Sequence, residues 1–268
     1  MTVRPSSHRD PTFIRVARDL CIGLVPLSGV AWTLRAALDL PAIYLLQVVG
    51  LYLAAGALIL REVPNVLPGP GSGPANRVTL ARATLVLPLG ALAFHAGLED
   101  PLLRWTVVAV GTLALMLDGV DGWVARRTGT STAFGARLDM ELDAFLILTL
   151  SVLAWRAGPV GPWILGLGAM RYLFVAAARI WPALQRELPP SFRRKVVCVI
   201  QGIALLICIG PVVPAPLPGL VGAAALGSLI LSFATDAVWA FRAPAPVDPR
   251  RDPAPAAPPI PGAGTRAA

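Results

Sequence analysis

Residues 118–143 read DGVDGWVARRTGTSTAFGARLDMELD, preceded by PLLRWTVVAVGTLALML (101–117) and followed by AFLILTLSVLAW (144–155). Two long apolar runs joined by a short polar connection form the pattern of a helical hairpin crossing a bilayer. The connection carries Asp118, Asp121, Asp139 and Asp143. An ionised aspartate at the centre of a membrane helix costs about 2.5–3.5 kcal/mol on insertion scales, so such a cluster requires a compensating cation. Residues three or four apart share a helix face, which sets Asp118 beside Asp121 and Asp139 beside Asp143.

The rest of the chain extends the same pattern. Of 268 residues, 56% are hydrophobic and 14% charged, and the mean hydropathy is +0.68. Soluble domains carry about a quarter charged residues, so the composition excludes them and predicts an all-α, polytopic membrane helix bundle. Apolar windows predict spans near 20–38, 42–60, 79–98, 105–124, 138–157, 160–180, 195–214 and 217–241. Arg4, Arg9, Arg15 and Arg18 precede the first, as in a signal sequence, but no small-residue cleavage site follows, and a retained helix is expected. The organisation reads as a polar, poorly ordered amino-terminal segment (1–19), two extra transmembrane helices (20–62), a Pro/Gly-rich linker (63–75), a six-helix catalytic core (76–242) and a Pro/Ala-rich tail (243–268) too poor in large apolar residues to fold alone.

Most of the 23 basic residues fall on or beside segments 1–19, 61–78, 125–137, 181–194 and the tail after 241. Arg35, Arg104, Arg156 and Arg171 are the exceptions. The positive-inside rule then predicts a cytoplasmic amino terminus and places the aspartates at the cytoplasmic ends of the fourth and fifth spans. Basic loops beside anionic membrane lipid account for the net charge of +8, and with no nucleic-acid-binding motif present, nucleic acid is not an expected partner. Cys21, Cys198 and Cys208 lie in apolar spans with spacing that suits neither zinc nor a disulfide framework, so they read as packing residues. His8 and His95 are isolated from the acidic run and receive no role.

Oxygen-only ligation favours Mg²⁺, Mn²⁺ or Ca²⁺ over zinc, and Mg²⁺ is typically shared between carboxylates and substrate phosphates. Gly122 and Gly135 leave room for a ligand's close approach. Arg126, one turn beyond Gly122, can supply a permanent bidentate cation to phosphate.

The pattern D-x2-D-G-x2-A-R-x8-G-x3-D-x3-D resembles the signature of the CDP-alcohol phosphotransferase (CDP-alcohol phosphatidyltransferase) family at Asp118, Asp121, Gly122, Ala125, Arg126, Gly135, Asp139 and Asp143. Upstream, Asn76, Thr79 and Arg82 resemble the family's Asn-x-x-Thr-x-x-Arg, and the likeness covers about residues 74–242. It implies a six-helix membrane enzyme, a homodimer, that transfers a substituted phosphate from a CDP-linked donor to an alcohol and releases CMP. On that resemblance Asp118, Asp121 and Asp139 hold one or two Mg²⁺ or Mn²⁺ ions, and Asp143 is the general base and touches a metal. Asn76, Thr79, Gly122, Ala125, Arg126 and Gly135 line the CDP pocket.

A cytoplasmic basic group, Arg137, Arg171, Arg179, Arg193, Arg194 and Lys195, supplies candidates for holding a phosphorylated acceptor. Arg171 stands out because it falls inside an apolar span, where an arginine faces a cavity or a partner. The expected reaction is phosphatidyl transfer from CDP-diacylglycerol to a small alcohol, phosphorylated or not, in phospholipid biosynthesis, in a bacterial cell (inner) membrane with the active site facing the cytoplasm. Transfer of the CDP-choline or CDP-ethanolamine type to a lipid alcohol is the alternative. A cation or proton transporter is disfavoured because the acids cluster on one side with no second half echoing them. A catalytically silent relative is disfavoured by the intact aspartates.

Overall fold

The structure, a computed structural model, describes residues 11–64, 67, 73–95, 98–128, 132–185 and 191–242, without the side chains at 11, 75, 121–123, 125, 126 and 185. The tail, most of the linker and the start of the amino-terminal segment lie outside the described residues. Among those described there are eight α-helices: α1 (Pro11–Ala37), α2 (Ile43–Glu62), α3 (Pro74–Leu92), α4 (Pro101–Thr128), α5 (Ala133–Arg156), α6 (Leu165–Ile180), α7 (Phe192–Ile209) and α8 (Leu217–Arg242). Helix α1, α2, α4, α8, and α6 with its leading 3-10 turn are long and apolar enough to cross a membrane. The chain is a polytopic integral membrane protein. Helices α3, α5 and α7, also expected as spans, are not among the described helices that are long and apolar enough.

One expectation changes at the amino terminus. The segment expected to be poorly ordered, 1–19, is helical from Pro11, and it buries Thr12 and Val16 at 1% exposure.

Helix α3 is the centre of the bundle and packs on α1, α2, α4 and α5. Gly73, at φ 96°, turns the chain into Pro74 at the first helical position, where a missing N–H costs nothing. From there α3 presents two faces. Asn76, Thr79, Arg82 and Val86 recur at three- and four-residue spacing and are all buried. Arg77, Leu80, Ala81 and Thr84 form the second face, against α1.

The first two helices dock on α3 through polar ties as well as apolar packing. Tyr44 of α2, fully buried, donates to the Pro88 carbonyl at 3.2 Å, and Gln47 meets His95. Asp19 of α1 takes a two-point contact from Arg77. Tyr52 donates to the Leu20 carbonyl at 2.7 Å and joins α1 to α2. Elsewhere small residues let backbones approach: a Cβ at Gly168 of α6 would run into the Leu148 backbone of α5.

Arg35, Arg104, Arg156 and Arg171, which stand apart from the basic segments, all have structural partners. Arg104 donates to the carbonyls of Leu98 and Ala157, at the turns flanking α4 and α5 (Nη2 to Ala157, 2.6 Å), and Arg156 donates to the Ala93 carbonyl. Arg35 lies 5.5 Å from the centre of the Trp32 ring. Arg171 pairs with Glu141. A guanidinium occupied by helix-end carbonyls is a structural anchor.

Candidate active site

Helix α5 begins where Thr132, in an extended conformation, accepts a hydrogen bond from the Gly135 N–H at 3.0 Å. This is an N-cap: the side-chain oxygen satisfies a backbone donor that has no intrahelical acceptor. The cap fixes the register that turns Asp139 and Asp143, one turn apart, toward α3 and α4. Gly135 sits against α3 so closely that a Cβ there would collide with Asn76 Oδ1 and lie 3.2 Å from Thr132 Oγ1.

Three aspartates converge. Candidate ligand oxygens of Asp118, Asp139 and Asp143 all lie within 4.8 Å of one another. Asp121 stands one turn beyond Asp118 in α4, with Gly122 next to it, but the side chains of Asp121, Ala125 and Arg126 lie outside the described residues.

The cation among these acids is a residue that the sequence reading treated only as part of an upstream motif. Arg82 is fully buried, and its Nη1 donates to Asp118 Oδ1 at 2.7 Å and to Asp139 Oδ1 at 2.8 Å. Its Nη2 donates to Asp143 Oδ1. The planar guanidinium suits this task, since it offers five donors in a fixed fork and keeps its charge when buried. Charge compensation, expected from metal alone, is thus partly built into the protein. The missed signal was an arginine inside the third apolar window, obscured because it stood next to a basic segment.

The donor set fits a hard divalent cation. Each carboxylate has a second oxygen besides the one Arg82 engages, and three clustered carboxylates without Cys or His match Mg²⁺ or Mn²⁺. Asn76 and Thr79, buried at 5% and 3% exposure, share the α3 face with Arg82.

From the acids a cavity of about 550 Å³ extends between α4, α5 and α7. Asp118, Asp143 and Cys198 lie at one end, Trp105, Val212 and Val213 at the other, with an apolar wall between. Thirteen residues of α4 separate Asp118 from Trp105, about 20 Å of helix. Cys198, read from sequence as a packing residue, therefore lines the cavity where it meets the acids. Isolated in an apolar run, it carried no signal of that position.

The basic candidates divide. Arg171 pairs with exposed Glu141 at the α5–α6 surface and does not line this cavity. Arg193 donates to the Ser232 carbonyl at 2.7 Å and to Asp236, which ties α7 to α8. Arg194 lies 3.8 Å from the same carboxylate, one helical turn from Cys198 and on its side of α7. Arg137, Arg179 and Lys195 are exposed.

The sequence profile of CDP-alcohol phosphatidyltransferases matches residues 74–235, more than half of the chain. Two curated relatives, each named "Probable phosphatidylglycerophosphate synthase", come from Mycobacterium tuberculosis strains CDC 1551 and H37Rv. Each is 30% identical over 132 residues, which cover 49% of this chain and 63% of the relative. The match thus spans less than two thirds of those relatives' length. No solved structure matches the chain.

Proposed function

The chain belongs to the CDP-alcohol phosphatidyltransferase family, and from that premise we propose that it transfers a phosphatidyl group from CDP-diacylglycerol to a small phosphorylated alcohol of the glycerol 3-phosphate kind. The single observation that carries this reading is the apolar cavity ending on Asp118 and Asp143. Its length of about 20 Å exceeds one leaflet's share of a hydrocarbon core about 30 Å thick, and its polar end lies at the acids. A diacyl donor fits that polarity, with acyl chain against α4 and α7 and diphosphate at the carboxylates. The name of the mycobacterial relatives points to the same acceptor class.

In this reading the acceptor hydroxyl oxygen bonds to the phosphorus that carries the diacylglycerol. The bond from that phosphorus to the bridging oxygen breaks, and CMP leaves with the oxygen. Asp143 takes the hydroxyl proton and later returns it to solvent. Asp118, Asp121, Asp139 and Asp143 would hold one or two Mg²⁺ or Mn²⁺ ions, which neutralise the diphosphate and ease departure of CMP. Arg82 keeps the carboxylates facing one another. Asn76, Thr79, Gly122, Ala125, Arg126 and Gly135 are assigned to the CDP moiety within a six-helix core spanning 76–242. Arg194, on the cavity side of α7, is the first choice for the acceptor phosphate, with Arg137, Arg179 and Lys195 at the same cytoplasmic end.

The test is CMP release by protein purified in detergent with Mg²⁺ or Mn²⁺, CDP-diacylglycerol and glycerol 3-phosphate. We expect release that depends on both acceptor and ion, and its loss in Asp143→Asn with CDP binding retained. CMP formed only from CDP-choline or CDP-ethanolamine with diacylglycerol would reverse the donor and acceptor roles. Ion flux in proteoliposomes without any nucleotide chemistry would replace the enzymatic reading with transport.

A further inference from the structure

A second cavity, about 380 Å³, lies away from the acidic cluster between α1 and α3, lined by Asp19, Ile22, Gly23, Pro26, Arg77, Leu80, Ala81 and Thr84. Asp19 and Arg77 form one end; Pro26 and Thr84, each seven residues further along its helix, form the other. The groove therefore runs about 10 Å between two parallel helices, from the cytoplasmic interface into the hydrocarbon layer.

Its charged end is asymmetric. Arg77 Nε and Nη2 contact the Asp19 carboxylate at 3.0 and 3.3 Å, and Arg18 Nη2 lies 4.0 Å from it. The Asp19 side chain is 5% exposed, whereas those of Arg77 and Arg18 are 45% and 60% exposed. The acid is sunk and engaged while two guanidinium groups face outward, so this end presents positive charge. Beyond it Ile22, Pro26, Leu80 and Ala81 make an apolar wall.

We propose that this groove binds an anionic phospholipid of the cytoplasmic leaflet, its phosphate between Arg77 and Arg18 and an acyl chain along Ile22, Pro26, Leu80 and Ala81. A zwitterionic headgroup is disfavoured because, among the described residues, its amine would find only a buried carboxylate already held by Arg77. The lipid would join α1 to the helix that presents Asn76, Thr79 and Arg82, and so bind the first two helices to the rest of the bundle. This inference depends on the α1–α3 geometry and not on the reaction proposed above.

The full-length protein in nanodiscs, doped with phosphatidylglycerol or phosphatidylcholine bearing a diazirine on one acyl chain, supplies the test by photolabelling and peptide mapping. Phosphatidylglycerol should label residues 19–26 and 77–84 in preference to phosphatidylcholine. Arg77→Gln and Arg18→Gln should each reduce that preference about fivefold, the effect of one basic residue at an anionic interface. Arg18 is the more exposed of the two, which keeps the test usable should Arg77→Gln fold poorly. Ala81→Trp, which fills the wall without altering charge, should abolish labelling there by both lipids while sparing labels in the α4–α7 cavity. Equal labelling by the two lipids, a preference unmoved by either arginine change, or labels confined to the α4–α7 cavity would overturn the proposal and leave the catalytic reading untouched.

Discussion

Replacing Arg82 with methionine would keep most of the buried volume and remove the guanidinium that lies between Asp118, Asp139 and Asp143. The side chain is 0% exposed, and the three carboxylates are 34%, 35% and 24% exposed. Removing one partner of a buried ion pair costs about 3–5 kcal/mol, because the remaining charge is left uncompensated. Partial solvent access to the acids sets the expected loss at about 3 kcal/mol, roughly two powers of ten in the folded-to-unfolded ratio. The assay is thermal unfolding in detergent, with EDTA and with Mn²⁺. The Arg82→Met protein should melt well below wild type in EDTA and regain most of the difference in Mn²⁺. An ion at a hundred times its dissociation constant contributes about 2.7 kcal/mol when it binds only the folded state. Arg82→Lys should fall between, since one ammonium cannot bridge three carboxylates with a planar fork. Equal melting of Arg82→Met and wild type in EDTA, with an unchanged Mn²⁺ shift, would refute the claim that Arg82 balances the cluster.

Cys198→Trp should obstruct the cavity beside Asp143 and raise KM for a long-chain CDP-lipid donor about tenfold, equivalent to about 1.4 kcal/mol of lost binding. Equilibrium binding of free CDP should be unaffected, and an unaltered KM would place the acyl chain elsewhere. Gly135→Ala should displace Asn76, at a cost in the usual overpacking range of about 1–3 kcal/mol. CDP titration should show weaker binding, and wild-type affinity would separate Asn76 from the nucleotide.

The sequence disclosed the helices well because hydropathy reports where lipid touches the chain. It located their ends poorly, because helices continue past the apolar window. The fourth span, expected over 105–124, is helical from Pro101 to Thr128, and the first reaches back to Pro11. Conversely, the window over 195–214 overshoots α7, which stops at Ile209 before Gly210. The convergence of Asp118, Asp139 and Asp143 was legible as i, i+3 and i, i+4 spacing around a hairpin. The role of Arg82 was not, since periodicity within one helix says nothing about which face meets a neighbour. Arg171 illustrates another case: its place in an apolar span pointed to a cavity or a partner, and the structure supplies the partner, Glu141 on the adjacent helix. The docking of α1 on α3 through Asp19 and Arg77 was equally hidden, because nothing local to either segment names the other.

The Arg82 pairing also imposes an order on assembly. The guanidinium leaves the ribosome 36 residues before Asp118 and 61 before Asp143. At roughly 5–20 residues per second, the nascent third helix waits about 2–12 s for its balancing acids. Until α4 and α5 emerge, α3 enters lipid as a charged segment, so its final seating is coupled to translation of the hairpin that follows.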